Sequence, residues 1–398
     1  MRIAYLCTDL GVPVCGSKGA SIHVRELSGA LKALGHEVLG VCARLGGTPP
    51  DTYDVPLLEV PEEPVGGPPA RDRGVRFAAY ASSVPARALP PLRDFAPDML
   101  YERYALNGTA GLTIAHELGI PHLLEVNAPL VDEEVAHRGL ASTESARRVE
   151  REILRRADRI LAVSEELKRW LLGLGVAEER ILVLANAADP GRFEAARGER
   201  SDVRRRLGVN GTPVVAFVGT LRPWHDPSIL VQALGLLRAR GEAPRLLFVG
   251  DGPERANVEQ LAAERRLTAL VTFTGAVDHD EVPVYLAAAD VAVASYHPDT
   301  GSYFSPLKLF EYQAAGLPVV AAEVGEIPHC VRAGETGLLY PPGDAEALAD
   351  ALATLIDDRE RAAELGRHGR EHVLRHHTWS SNAQAVAAVA GELLEEAA

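Results

Sequence analysis

Long apolar runs are missing from this chain of 398 residues. None approaches the roughly 18 consecutive apolar residues that a membrane span requires. An excess of positive charge is missing as well. With 41 Lys and Arg against 55 Asp and Glu, the formal net charge is -14 at pH 7. That balance argues against nucleic acid as a partner, which needs a positive field, although a local basic patch is compatible with it. Cysteine is sparse. Cys7, Cys15, Cys42 and Cys330 show no C-x-x-C or other ligand spacing. Cys7 and Cys42 fall inside expected strands, so buried reduced thiols in a reducing compartment are expected. No His/Asp/Glu set has metal-ligand spacing, and no metal is expected. His376 and His377, adjacent on a helix, point in different directions. The chain has no G-x-S-x-G nucleophile elbow and no GKS or GKT of a P-loop. Its first glycine-containing loop is not G-x-G-x-x-G, so no dinucleotide cofactor is expected. Lysine is scarce beside arginine, which reads as coding bias. The opening MRIAYLCTDL runs straight into a strand and is too short and polar for a signal peptide, so a cytoplasmic location is expected.

What is present is regular alternation. A chain this long exceeds one ordinary core, and two domains are expected. Strands are expected over residues 2–8, 38–43, 98–101, 122–126, 159–163 and 180–184, and in the second half over 213–218, 246–249, 271–274, 291–294, 319–322 and 337–340. Helical segments separate them, and a short strand fits 56–60. This is the spacing of doubly wound α/β sheets. The expected organisation is an N-terminal domain over 1–187, a connection over 188–200, a C-terminal domain over 201–375, and a last helix over 376–398 packing back on the first. Two such sheets put a cleft at the domain interface, a usual place for ligands.

In open parallel sheets ligands bind outside the carboxyl ends of the strands, so polar groups there are the candidates. After the first strand, Gly16, Ser17, Lys18 and Gly19 form a small-residue turn that lets backbone amides approach an anion or a sugar. Plain tight turning reads the same way. Glu102, Arg103, Glu125 and Asn127 lie at the ends of two further strands and are candidates for acceptor contact, or ordinary loop caps. In the second half Gly219, Arg222 and His225 follow one strand, and Gly250 and Gly252 follow the next. The stretch 300–322, TGSYFSPLKLFEYQAAGLPVVAA, reads as a helix with Ser305 as N-cap and Pro306 at its first position. Lys308 then lies in the first turn, where the helix dipole disfavours a cation unless an anion sits there too. Glu311 shares its face. The functional reading is a phosphate held by Lys308 and the helix start, with Glu311 accepting sugar hydroxyls. A surface Lys–Glu pair fits the spacing equally.

Residues 71–93 hold Arg71, Arg73, Arg76, Arg87 and Arg93 among Phe77, Tyr80 and alanines. A solvated helix on a globular surface accounts for them. A peripheral contact with an anionic membrane is the alternative.

Taken together, GSKGAS, RILVLANAADPGRF, FVGTLRPWH, FVGDGPE, SPLKLFEYQAAGLPVVA and TGLLYPPGD, in this order over nearly the whole chain, resemble the retaining family 4 glycosyltransferases of the GT-B fold. The resemblance implies two Rossmann-like doubly wound domains facing a cleft. It implies transfer of a sugar from a nucleotide sugar, most naturally a UDP-sugar, to a polysaccharide, lipid-linked or small-molecule acceptor, with no separate cofactor. By the same resemblance the diphosphate meets Arg222, Lys308, amides near Gly16 and the start of the helix at Ser305, Pro306 and Leu307. Ribose meets Glu311. The base meets backbone near Gly250, Gly252, Ala276 and Val277, and the donor sugar lies near Tyr303, Phe304 and Ser305. Lys308, Arg222 and Glu311 are the implied catalytic set.

The chain also departs from the family pattern. Tyr303 stands where many members carry the first of two glutamates, Thr220 and His225 stand where many carry Arg and Lys, and Asn127 stands where a His is frequent. A protein that binds nucleotide sugars without turnover is the alternative function. The implied reaction keeps the anomeric configuration. Its main task is to stabilise negative charge on the leaving diphosphate, whose oxygen can take the acceptor proton. No paired carboxylates sit at glycosidase-like positions.

Overall fold

The computed structural model describes residues 1–63, 72–300 and 303–397. Arg71 of the arginine stretch, and residues 301–302 of the stretch around Lys308, lie outside them. The chain divides into two units, Met1–Ala185 with Trp379–Ala398, and Asn186–Thr378.

The first unit carries a seven-stranded sheet in the order β3-β2-β1-β4-β5-β6-β7. Its strands are β1 Arg2–Cys7, β2 Glu37–Cys42, β3 Leu57–Glu59, β4 Met99–Arg103, β5 His122–Val126, β6 Arg159–Ala162 and β7 Ile181–Val183. The second carries six strands in the order β10-β9-β8-β11-β12-β13. These are β8 Val214–Val218, β9 Arg245–Val249, β10 Val271–Phe273, β11 Val291–Ala294, β12 Val319–Ala322 and β13 Gly337–Tyr340. Every neighbouring pair is parallel. Parallel strands are covered on both faces and so read as apolar runs. VVAFV in β8 and VAVA in β11 are buried at every position.

The reading of residues 188–200 as a connection is corrected. Pro190–Ala196 is a helix of the second unit, with Asp189 accepting from Gly191 N at its start and Phe193 buried. The last helix, Trp379–Ala397, belongs to the first unit. There Asn382 Nδ2 donates to Ala185 O at 2.8 Å, and the Trp379 ring meets His23 edge-on.

The arginine-bearing helix Arg73–Phe95 buries Phe77, Tyr80, Val84, Ala88 and Leu92 in the core. Its charges are met locally. Arg73 reaches Glu134 at 3.0 Å, Arg76 reaches Glu62 at 2.5 Å, Arg93 reaches Glu117 at 3.4 Å, and Arg87 donates to Pro61 O at 2.5 Å. The described part of this stretch is therefore a packed helix whose charges have local partners. Among the described residues no helix is long and apolar enough to cross a membrane.

Candidate active site

In the second sheet β8 has β9 on one side and β11 on the other. Chain direction around the sheet reverses there, and such a switch point is where open parallel sheets place ligands, outside the carboxyl ends of the strands. The loop after β8 carries Gly219, Arg222 and His225. The loop after β11 runs to the helix Leu307–Ala314. Hydrogen bonds join the two loops: Trp224 O accepts from His297 N at 3.0 Å and from Thr300 Oγ1 at 3.0 Å. Ser295 Oγ donates to His225 O at 2.6 Å.

Lys308 lies in the first turn of that helix. Part of its stem is exposed, but its Nζ is buried and has no hydrogen-bond partner among the described residues. It lies 4.2 Å from the centre of the Phe217 ring of β8 and 5.6 Å from that of Tyr296. The ring faces attract the cation but accept none of its three N–H bonds. Gly219 makes the room: at its φ of 130° there is no side chain, and a Cβ there would stand 3.2 Å from Nζ. Burial pushes the Lys308 pKa down to about 7, while the charge of Glu311 works in the other direction. Buried polar groups normally find partners. Unused donors at a helix start beside a switch point are suited to an anion.

Glu311 does not pair with Lys308. Its Oε1 lies 2.7 Å from His279 Nε2, a partner contributed by the 3-10 turn His279–Glu281 after β10. His225 is held within its own loop. Its Nδ1 donates to Thr220 O at 2.7 Å, and its ring packs against Phe217, Trp224 and Tyr296. Burial, then the charge of Lys308, holds its pKa down to about 3. It is neutral at physiological pH and adds shape, not charge. Arg222 is exposed, with its guanidinium 5.5 Å from the Trp224 ring centre.

Ser305 is not the N-cap. That position falls to Pro306, and the helix begins at Leu307 without a side-chain cap. Ser305 Oγ instead accepts from Asn186 N at 2.9 Å, and Asn186 Nδ2 donates to Ser305 O. Asn186 thus pins the loop ahead of Lys308 from a position 119 residues away. Asn186→Ala should lower stability by about 1–3 kcal/mol through the lost side-chain bond and the carbonyl left behind. Urea unfolding with fixed slope measures it. The Phe304 ring packs tilted against that of Tyr296, with centres 4.9 Å apart, and Tyr303 meets Phe304 edge-on.

The loops after β8 and β9 are laced together by Gly219 N to Val249 O at 3.0 Å and Leu221 N to Asp251 O at 2.9 Å. Gly250 and Gly252 permit that approach, since a Cβ on either would come within 2.4 Å of a backbone oxygen. Gly250 also bridges Gly275. Ala276 is exposed and Val277 half-buried beyond it.

In the first unit the switch point lies between β2, β1 and β4. The loop after β1 is held by Arg25, whose Nη1 donates to Val14 O at 2.6 Å and Gly16 O at 2.8 Å. Arg25 carried no sequence signal as a loop anchor. Ser17 and Gly19 are exposed, and Gly19 begins the helix Gly19–Ala33. Glu102 and Arg103 are the last residues of β4 and do not lie beyond it. Strand alternation sends them to opposite faces. Glu102 is fully buried, with Oε2 2.8 Å from His122 Nε2 and Gly111 packed against its carboxylate. It is a core residue and is removed from the acceptor candidates. Glu125 is buried too, and it gathers Tyr101 Oη at 2.6 Å, His23 Nε2 at 2.8 Å, Arg103 at 3.3 Å and Asn127 Nδ2. Burial works to raise the Glu125 pKa, but His23, Arg103 and Tyr101 outweigh it and hold the carboxyl at about 2. Arg103 and Asn127 are therefore positioned by a permanently ionised carboxylate.

The family model for glycosyl transferases group 1 matches residues 199–372, and that for Glycosyltransferase Family 4 matches residues 17–192. The chain is 34% identical to a D-inositol 3-phosphate glycosyltransferase of Nocardia farcinica, over 74% of this chain and 66% of that protein. It is 30% identical to the Acidothermus cellulolyticus protein of the same name, over 99% of this chain and 90% of that one. A GDP-mannose-dependent mannosyltransferase of Mycobacterium tuberculosis is 34% identical over 51% of this chain and 54% of its own length. The crystal structure of Anabaena HepE in complex with UDP superposes with a TM-score of 0.76, covering 98% of this chain and all of that one at 20% identity. With two parallel-sheet α/β units and these matches along most of its length, the chain belongs to the family 4 glycosyltransferases of the GT-B fold.

Proposed function

We propose that this glycosyltransferase takes its sugar from a nucleoside-diphosphate sugar bound by the second unit at the carboxyl ends of β8 and β11. The observation that carries the reading is the buried ammonium of Lys308, with unused donors in the first turn of the helix Leu307–Ala314. In this reading the diphosphate meets Lys308, Arg222 and the amides of the helix start. Ribose meets Glu311, the base meets backbone around Gly250, Gly252, Ala276 and Val277, and the sugar lies near Tyr303 and Phe304. In the first unit Arg103 and Asn127 orient a hydroxyl-bearing acceptor.

The reaction retains anomeric configuration through an oxocarbenium-like transition state. Charge grows on the departing diphosphate, and preorganised cations and amides stabilise it. The leaving oxygen takes the acceptor proton, so no side-chain base is assigned. No metal ion is assigned either, and turnover unaffected by a chelator is the expected result. Among donors we assign UDP, the nucleotide bound by the HepE neighbour. The GDP-mannose-dependent relative makes GDP the competing outcome.

A thermal-shift screen with UDP, GDP, ADP and TDP tests the donor site. A ligand at ~100 times its Kd adds about 2.7 kcal/mol of apparent stability. UDP is expected to give the largest rise in Tm. A larger rise with GDP reassigns the base, and no rise with any of the four overturns the donor site.

A further inference from the structure

The turn after β10 presents His279 in a controlled way. Asp278 and Glu281 form a capping box across it, each side chain bonding the other's backbone. Arg192 reaches Asp280 at 3.1 Å from outside. Between these anchors, His279 turns inward and brings Nε2 to 2.7 Å from Glu311 Oε1, with 14% and 9% of the two side chains exposed.

We propose that His279 is a positioning residue for the donor nucleotide, holding the Glu311 carboxylate in place for ribose hydroxyls and away from Lys308. The inference rests on the donor reading above. Lys308 and Glu311 are three residues apart on one helix, close enough to pair. A pair between them would neutralise the cation and occupy the carboxylate together. Instead Lys308 Nζ has no hydrogen-bond partner among the described residues, and Glu311 Oε1 is engaged by the imidazole. A carboxylate accepts about four hydrogen bonds. One bond to His279 fixes its rotamer and leaves capacity for the two vicinal hydroxyls of a ribose. The same contact joins the turn after Ala276 and Val277 to the helix that carries Lys308.

The test compares a ribonucleoside diphosphate with its 2′,3′-dideoxy analogue, using UDP and dideoxy-UDP by calorimetry on the full chain. Wild type should prefer the ribonucleotide by roughly tenfold, the value of one hydrogen bond to a charged group. His279→Leu should bind UDP about tenfold more weakly and lose that preference. His279→Gln, which keeps an N–H donor, should retain most of it. A merely structural role would weaken both ligands and leave their ratio unchanged, and that result overturns the inference. If wild type binds both ligands equally, the ribose role of Glu311 falls, and the inference with it. If neither ligand binds wild type, the donor site itself is wrong. Should His279→Leu not fold, His279→Asn, polar but too short to reach Glu311, serves in its place.

Discussion

Lys308→Met should move activity and stability in opposite directions. Transfer should fall about 100- to 1,000-fold, the cost of removing one preorganised donor to a developing anion, or roughly 2–4 kcal/mol of barrier. The Tm of the ligand-free protein should rise at the same time. Burial holds the Lys308 pKa at about 7 against an ordinary value of 10.5. Between those two values the unfolded chain binds the proton and the folded chain does not, so stability rises with pH across this window. At and below neutral pH the full cost of the buried charge is present. The gain from methionine should therefore be larger at pH 6 than at pH 9, and a few degrees of Tm is the expected scale at neutral pH. Methionine fills the slot between Phe217 and Tyr296 with a polarisable chain of similar length. Calorimetric Tm values at the two pH values, with initial rates on the same samples, measure both effects. Unchanged turnover in a folded variant would sink the role of Lys308. An unchanged or lower Tm would mean that the ammonium has a partner in solution.

The second large effect is expected at Gly250. Gly250→Val should destabilise the second unit by about 3 kcal/mol or more and abolish nucleotide binding. Two causes add. The φ of 141° is one that a β-branched residue does not adopt without strain. A Cβ would also stand 2.2 Å from the Gly219 carbonyl oxygen. That oxygen is backbone and cannot swing aside, so relief requires the loop after β8 to move. The same loop carries Arg222 and His225 and leaves room at Gly219 for Lys308. Gly29 is the control. It lies within the helix Gly19–Ala33 with nothing within 4 Å of an added Cβ. Gly29→Ala should therefore stabilise by about 0.5–1 kcal/mol. Urea unfolding and UDP titration of both variants separate the outcomes. Full UDP affinity in Gly250→Val would show that the contact between these two loops is dispensable.

Much of the architecture was open to reading from the chain itself. Parallel strands are buried on both faces, and β11, β12 and β13 coincide with apolar runs whose limits could be marked to the residue. The glycines at 219, 250 and 252 marked strand ends where backbone approaches backbone. The unusual position of Lys308, a cation in a first helical turn, was visible as well. The helices Leu130–Arg138 and Pro190–Ala196 were not. Both are short, and their apolar residues are too few to set a period.

The sequence by itself determined the alternation of strands and helices, the family, and the two loops after β8 and β11 where a phosphate would be sought. Tertiary structure decided which groups meet there. Glu102 and Arg103 are neighbours in sequence, yet one is sealed against His122 and the other reaches Glu125, because alternation along β4 separates them. Glu311 is adjacent to Lys308 on a helix, yet its partner is His279, 32 residues earlier. Ser305 looks like a local cap and is instead held by Asn186. Local periodicity reports which face of an element is buried. It does not report which elements lie side by side, and that order, β10-β9-β8-β11-β12-β13, leaves the Lys308 ammonium beside two aromatic rings with no hydrogen-bond partner among the described residues.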